Sequence, residues 1–206
     1  MDKKLLVDTR LFKPKGTLLT EGKVSSRGNP IVGGILATAE IKNGNGRYYS
    51  RDLWEREVDK YKKFVNNNNA TGELDHPESQ IINLKNVSHN IIKIFWEGND
   101  VVGEIEILPT PSGNILKTLI ENNITVGVSS RGMGSLQELN NGMLEVQDDF
   151  ELLCWDFVST PSNPDSWMHP LKESLNESQI QNFNKYSKVN SIITEILCEK
   201  GTCPVL

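Results

Sequence analysis

The sequence predicts an α+β protein, a mainly antiparallel sheet or barrel with a few helices packed outside it. Three observations carry this. Apolar, β-branched runs at 31–41, 87–96, 101–108, 125–129 and 143–158 outnumber the helical patterns. Two of them, 87–96 and 101–108, are separated by Gly98-Asn99-Asp100, a hairpin signal. Only two long segments place apolar residues at helical spacing.

Taken in order, residues 1–30 are mixed, with loop signals at Lys13-Pro14-Lys15-Gly16 and Ser25-Ser26-Arg27-Gly28-Asn29-Pro30. Residues 31–41 read as a strand and Asn43-Gly44-Asn45-Gly46 as a turn. Leu53, Trp54, Val58, Tyr61 and Phe64-Val65 make 51–65 an amphipathic helix that the asparagine run 66–69 ends. The lysines between 60 and 63 are read as its solvated face. Ser112 is placed as the cap of a second helix over 113–122, with Ile115, Leu116, Leu119 and Ile120 on one face. The long β stretch 143–158 is expected to break at Asp148-Asp149. From about residue 172 the chain turns polar, so the reading is a domain over 1–171 and a flexible or processed tail over 172–206, with one short helix near 192–197.

Composition narrows the function. The chain has 206 residues, 37% hydrophobic and 24% charged, with a net charge of -5 and a pI near 5.3. An acidic balance without a basic stripe argues against nucleic acid as a partner. No apolar run is long enough to span a membrane, and the first residues lack the apolar stretch of a signal peptide. The three cysteines, Cys154, Cys198 and Cys203, are expected to be reduced thiols. Cys198 and Cys203 have no second ligand pair, so no metal and no cofactor is expected.

The chemistry concentrates in three segments. Val126-Gly127-Val128-Ser129-Ser130-Arg131-Gly132 reads as a short β run ending at a serine pair. Small residues there let a carbonyl and backbone N–H groups approach a hydroxyl, as a nucleophile requires. His76, in Gly72-Glu73-Leu74-Asp75-His76-Pro77, lies where a short run meets a loop, a place suited to a general base. His89 falls inside a strand pattern and is read as structural; His169 is read as solvent-facing. Asp156 is an acid in the apolar run Cys154-Trp155-Asp156-Phe157-Val158. Either it faces solvent by strand alternation, with Trp155 and Phe157 inward, or it is buried and needs a partner such as an imidazolium.

These segments also carry a resemblance. GELDHP (72–77), FWEGNDVVGEIEIL (95–108), VGVSSRGMGSL (126–136) and WDFVSTPSNPDSW (155–167) resemble, in order and spacing, the prohead core proteases of myovirus-type tailed bacteriophages, as does Asn45-Gly46-Arg47-Tyr48-Tyr49 more loosely. The similarity spans roughly 31–170. It implies an assemblin-like fold, a β-barrel core ringed by helices. It implies a serine endopeptidase that acts inside the immature prohead in the host cytoplasm, on phage scaffold and major capsid proteins, after glutamate in Leu/Ile-x-Glu sites. On the matching positions His76 becomes the base and Ser129 the nucleophile, with Ser130 the alternative one register step away. Asp156 is preferred as third member over Glu73 and Asp75. Ser130, Arg131 and Gly132 would form a substrate or oxyanion loop, Arg131 either fixing that loop, holding the substrate's glutamate or lying on the surface. Homo-oligomerisation stays open. Two other classes compete: an inactive scaffold-core relative, and a metal-dependent hydrolase using Asp75, His76 and His89.

Overall fold

A computed structural model describes residues 23–171 apart from 78, 140 and 141. The expected tail over 172–206, its helix, Cys198 and Cys203 lie outside the described residues, as does most of the N-terminal segment.

The chain runs β1 (Ile31–Thr38), β2 (Arg47–Tyr48), α1 (Arg51–Asn66), β3 (Thr71–Glu73), β4 (Val87–Glu97), β5 (Asp100–Ile107), α2 (Pro111–Glu121), β6 (Gly127–Met133), β7 (Leu136–Glu138), β8 (Leu144–Val146), β9 (Glu151–Val158) and β10 (His169–Pro170). Among the described residues the strands form three sheets. One has the order β10-β1-β5-β4-β3, one β2-β8-β7, and β6 pairs with β9 alone. Pairing is antiparallel except between β2 and β8. The ladders therefore do not run round a closed barrel. Isolated bridges join them instead: Leu74 to Phe157 between the first sheet and β9, and Gly127 to Trp167 between β6 and the segment entering β10.

The 87–108 hairpin forms as expected, turning at Gly98 in the left-handed region (φ 58°). The break near Asp148-Asp149 separates β8 from β9. Helix α1 starts where Ser50 accepts a hydrogen bond from Leu53 N (3.2 Å) and buries Leu53, Trp54, Glu57, Val58 and Tyr61. It ends at the asparagines, Asn68 taking φ 55°. Trp54 stacks on Tyr49 (5.0 Å) and Trp155 (6.0 Å), and Tyr61 meets Trp155 edge-on (4.9 Å). These aromatics bind α1 to β9, the strand that carries Asp156. Glu57, buried under the helix, accepts from Leu152 N (2.9 Å) and pairs with Arg56 and Lys60.

Three expectations change. Thr110, not Ser112, caps α2: its Oγ1 accepts from Gly113 N (3.0 Å), and Pro111 takes the first helical position, where its missing N–H costs nothing. Ile115 lies exposed, and the buried face is Gly113, Leu116 and Ile120. His169 is not solvent-facing. It pairs with Gly33 in β10, and burial pushes its imidazole down to about 4, so it stays neutral near pH 7.

β5 is buried along its whole length despite Glu104 and Glu106. Glu106 is held by Arg27, Ser25 and Asn29 (2.9 Å from Asn29 Nδ2). The Arg27 hydrogen bond, more than offsetting burial, takes its carboxyl from 4.5 down to about 2. A depressed folded value gives stability that is fully present above the unfolded pKa and is lost as pH falls through the folded one. The protein should therefore lose stability progressively from about pH 4.5 toward pH 2. Thermal melts across that window should show Glu106→Gln less stable than wild type at neutral pH and less steeply acid-sensitive.

Candidate active site

β3 delivers His76. After Glu73 the chain leaves the first sheet and lies along β9: Leu74 bridges Phe157 and Asp75 N donates to Phe157 O (2.8 Å). Asp75 then reverses the chain at φ 70°. Its side chain is exposed and accepts from His76 N (2.9 Å), so Asp75 stabilises the bend rather than facing the imidazole. The bend turns the His76 ring back over β9, where Nδ1 lies 2.7 Å from Asp156 Oδ2. The His76 side chain is 36% exposed and that of Asp156 fully buried, so the ring bridges solvent and interior.

β6 and β9 set the rest. Ser129 stands opposite Asp156, Ser130 opposite Trp155 and Arg131 opposite Cys154. Opposed residues of an antiparallel pair share a face, with Cβ atoms about 4.5–5.5 Å apart. Ser129, Arg131, Cys154 and Asp156 thus share the face over which His76 leans, while Ser130 shares the other with Trp155 and Phe157. The expected alternation of Trp155 and Phe157 inward holds, but Asp156 does not meet solvent, because β3 and the His76 bend cover its face as well. Ser129 is buried, and its Oγ shares a hydrogen bond with Ser162 Oγ (3.1 Å) rather than with His76. Ser129, Ser130, Ser162 and Asn163 line a small cleft.

Ser130, Arg131 and Gly132 are strand, not loop. β6 runs on to Met133 because β9 pairs with it throughout, with a register shift after Arg131. Arg131 is not a surface residue: it is buried, and its guanidinium is held by groups of the protein itself. Its Nε lies 2.9 Å from Asp156 Oδ2, Nη1 donates to Ser79 O (2.7 Å), and Nη2 donates to Glu73 Oε1 (2.9 Å) and Asp156 Oδ1 (3.1 Å). Asp156 Oδ1 also accepts from Glu73 N (2.9 Å) and Cys154 Sγ (3.3 Å). Burial pushes the Asp156 carboxyl up, but the His76 hydrogen bond, the Glu73 N–H and the Arg131 charge together bring it below the usual range, so it is ionised.

The rivals are disposed of by their surroundings. Burial, reinforced by the Asp156 charge, pushes the Cys154 thiol up to about 12, which removes it as a nucleophile at neutral pH. His89 is wholly buried, with Nδ1 against Ser88 Oγ (2.8 Å) and Nε2 against Trp155 O (3.0 Å); burial takes it down to about 4. Both its nitrogens are occupied, so the set Asp75, His76 and His89 does not converge as metal ligands. Nothing in the sequence marks Ser162, which stands in the 155–167 segment. The sequence offers Glu73 only as an alternative third member; its connection to Arg131 is visible only in three dimensions.

Comparison with known proteins identifies the relatives of this chain. The family model described as prohead core protein serine protease matches residues 2–179. The prohead core protein protease of Enterobacteria phage T4 is 35% identical over 152 residues, 72% of this chain and 71% of that protein. The solved structure of the bacteriophage T4 capsid assembly protease superposes with a TM-score of 0.63 at 28% identity, over 71% of this chain and 93% of that one. With a family model matching most of its length and a curated relative over two thirds of it, the chain belongs to the prohead core protein serine proteases.

Proposed function

We propose that this chain is a serine endopeptidase of phage capsid maturation in which Ser129 is the nucleophile, His76 the general base and Asp156 the orienting acid. The observation that carries the reading is the 2.7 Å contact of His76 Nδ1 with Asp156, made on the face that Ser129 shares. With Nδ1 donating to Asp156, Nε2 is the basic nitrogen. Ser129 Oγ must exchange its Ser162 contact for Nε2 as substrate binds. It then attacks the scissile carbonyl carbon while its proton passes to His76. The tetrahedral oxyanion collapses, the C–N bond breaks, and His76 returns the proton to the leaving amine. Water, deprotonated by His76, then hydrolyses the acyl-enzyme and restores Ser129.

The backbone also supplies a candidate for the oxyanion donor. Val128 N donates to Ser166 O on the edge of β6 that faces away from β9. Two residues on, Ser130 N–H points to the same edge, past the segment that pairs there. A donor beside the nucleophile is well placed for a developing oxyanion.

The substrates follow from the resemblance and from the relatives' names: scaffold and capsid proteins within the prohead, cut after glutamate in Leu/Ile-x-Glu. The barrel that the resemblance implies would close through two isolated bridges in place of ladders, one from Leu74, just after β3, to β9 and one from β6 to the entry of β10. The chain itself carries such sites. Leu53-Trp54-Glu55 lies in α1 and Leu136-Gln137-Glu138 in β7, where regular structure protects them. Leu19-Thr20-Glu21, Leu175-Asn176-Glu177 and Ile193-Thr194-Glu195, with the Lys172-Glu173 that follows Leu171, lie outside the described residues. Self-cleavage is expected after Glu173, Glu177 or Glu195. Intact mass spectrometry of wild type and Ser129→Ala incubated in parallel tests this. Fragments ending elsewhere than at glutamate would refute the specificity, and equal trimming of Ser129→Ala the self-processing.

A further inference from the structure

We infer that Glu73 and Arg131 are positioning residues that set the charge presented to His76, acting through Asp156 and never touching substrate. The inference rests on the Ser129-His76-Asp156 reading. Arg131 lies between two fully buried carboxylates, 2.9 Å from Glu73 Oε1 and 2.9 Å from Asp156 Oδ2, and is itself 7% exposed. Two carboxylates and one guanidinium leave one net negative charge beneath the imidazole.

Each partner is needed for that balance. With Arg131 but no Glu73, Asp156 would form a neutral pair and lend little support to an imidazolium. With Glu73 but no Arg131, two uncompensated carboxylates would lie beneath the imidazole and hold it as the imidazolium to higher pH. Glu73 therefore restores the negative charge that Arg131 would otherwise cancel.

The same residues fix direction. Arg131 Nε and His76 Nδ1 converge on Oδ2, while Glu73 N holds Oδ1. Arg131 Nη1 grips Ser79 O, and Glu73 Oε1 accepts from Asn83 N (3.0 Å). His76 thus sits in a bend anchored on both sides by one ion pair. The other titratable groups around Asp156 and His76 are Tyr61 from α1, Asp75 from the bend, His89 from β4 and Cys154 from β9. Of these only Asp75 is a carboxylate, and it is exposed to solvent, where its charge is screened, and turned to the His76 backbone N–H.

The test is the pH dependence of kcat and KM on a peptide substrate, from pH 5 to 9, for Glu73→Gln, Arg131→Gln and Arg131→Lys. Glu73→Gln leaves a neutral Arg131–Asp156 pair beneath the ring, disfavours the imidazolium and moves the acid limb of kcat to lower pH by about one unit. Arg131→Gln does the opposite. In both, kcat falls on the order of 10²-fold through misplacement of His76, with KM little changed. Arg131→Lys keeps the limb near its wild-type place but recovers only part of kcat, since an ammonium cannot bridge as the guanidinium does. Should Arg131→Gln fail to fold, Glu73→Gln with Arg131→Met removes the pair together and leaves Asp156 alone with one negative charge. That variant should keep a wild-type limb at reduced kcat. Limbs that stay fixed or move the same way in Glu73→Gln and Arg131→Gln, a double variant with a displaced limb, or a rise in KM at constant kcat would overturn the inference. Failure of the underlying triad would show separately, as activity retained by Ser129→Ala.

Discussion

Replacing Ser129 by alanine is expected to lower peptide hydrolysis on the order of 10⁶-fold, since members of a nucleophile–base unit act together and removal of one forfeits most of what the unit supplies. The fold should persist, because among the described residues the hydroxyl's partner is Ser162 Oγ and the change removes a single small atom. The sister variant Ser130→Ala should keep most activity: it leaves the backbone N–H in place and alters a side chain on the Trp155 face. Initial rates on a peptide substrate, with circular dichroism to confirm folding, decide the matter. An inert Ser130→Ala beside an active Ser129→Ala would mean that the nucleophile lies on the opposite face.

Asp156→Asn is the second large effect, about 10³–10⁴-fold in kcat if the acid works as in Ser-His-Asp sites generally, and less severe than His76→Ala. The cause is specific to this site. Among the described residues every partner of the Asp156 carboxylate is a donor: His76 Nδ1, Arg131, Glu73 N and Cys154 Sγ. An asparagine amide must turn its NH2 toward one set of them, whichever way it is flipped. Either the imidazole loses its acceptor or the Glu73 and Arg131 side does. A buried mismatch of this kind costs about 1–3 kcal/mol, so the variant should melt earlier than wild type as well as turn over slowly. Wild-type kcat in Asp156→Asn would move the orienting role to another residue or to none.

The sequence made the strands, the hairpin and α1 legible because their signals are local: β-branched runs, a Gly-Asn turn, apolar residues at helical spacing. The triad candidates were legible as residue types beside small or apolar neighbours. What stayed hidden is set by pairing at a distance. Glu73, Glu104 and Glu106 look like misplaced acids until Arg131, Lys23 and Arg27 meet them from other elements. Arg131 could not be told from a surface arginine, because nothing nearby in the chain marks β6 as covered on both faces. The choice of Thr110 over Ser112 as cap turned on a contact with Val87 O in another strand. Strand patterns alone leave sheet or barrel open, and the barrel is what the resemblance implies; closure depends on which edges meet, and here single bridges join separate ladders.

One consequence lies in the order of synthesis. The base is 80 residues ahead of the acid that orients it, and the nucleophile sits between them. Contacts so far apart along the chain form late in folding, and chains emerge from the ribosome N-terminus first. On the proposed mechanism, a growing chain holds His76 and then Ser129 with nothing to align them, and stays inert until β9 has emerged and docked. The topology thus delays proteolysis until the domain that performs it is complete, and neighbouring nascent proteins are spared in the meantime.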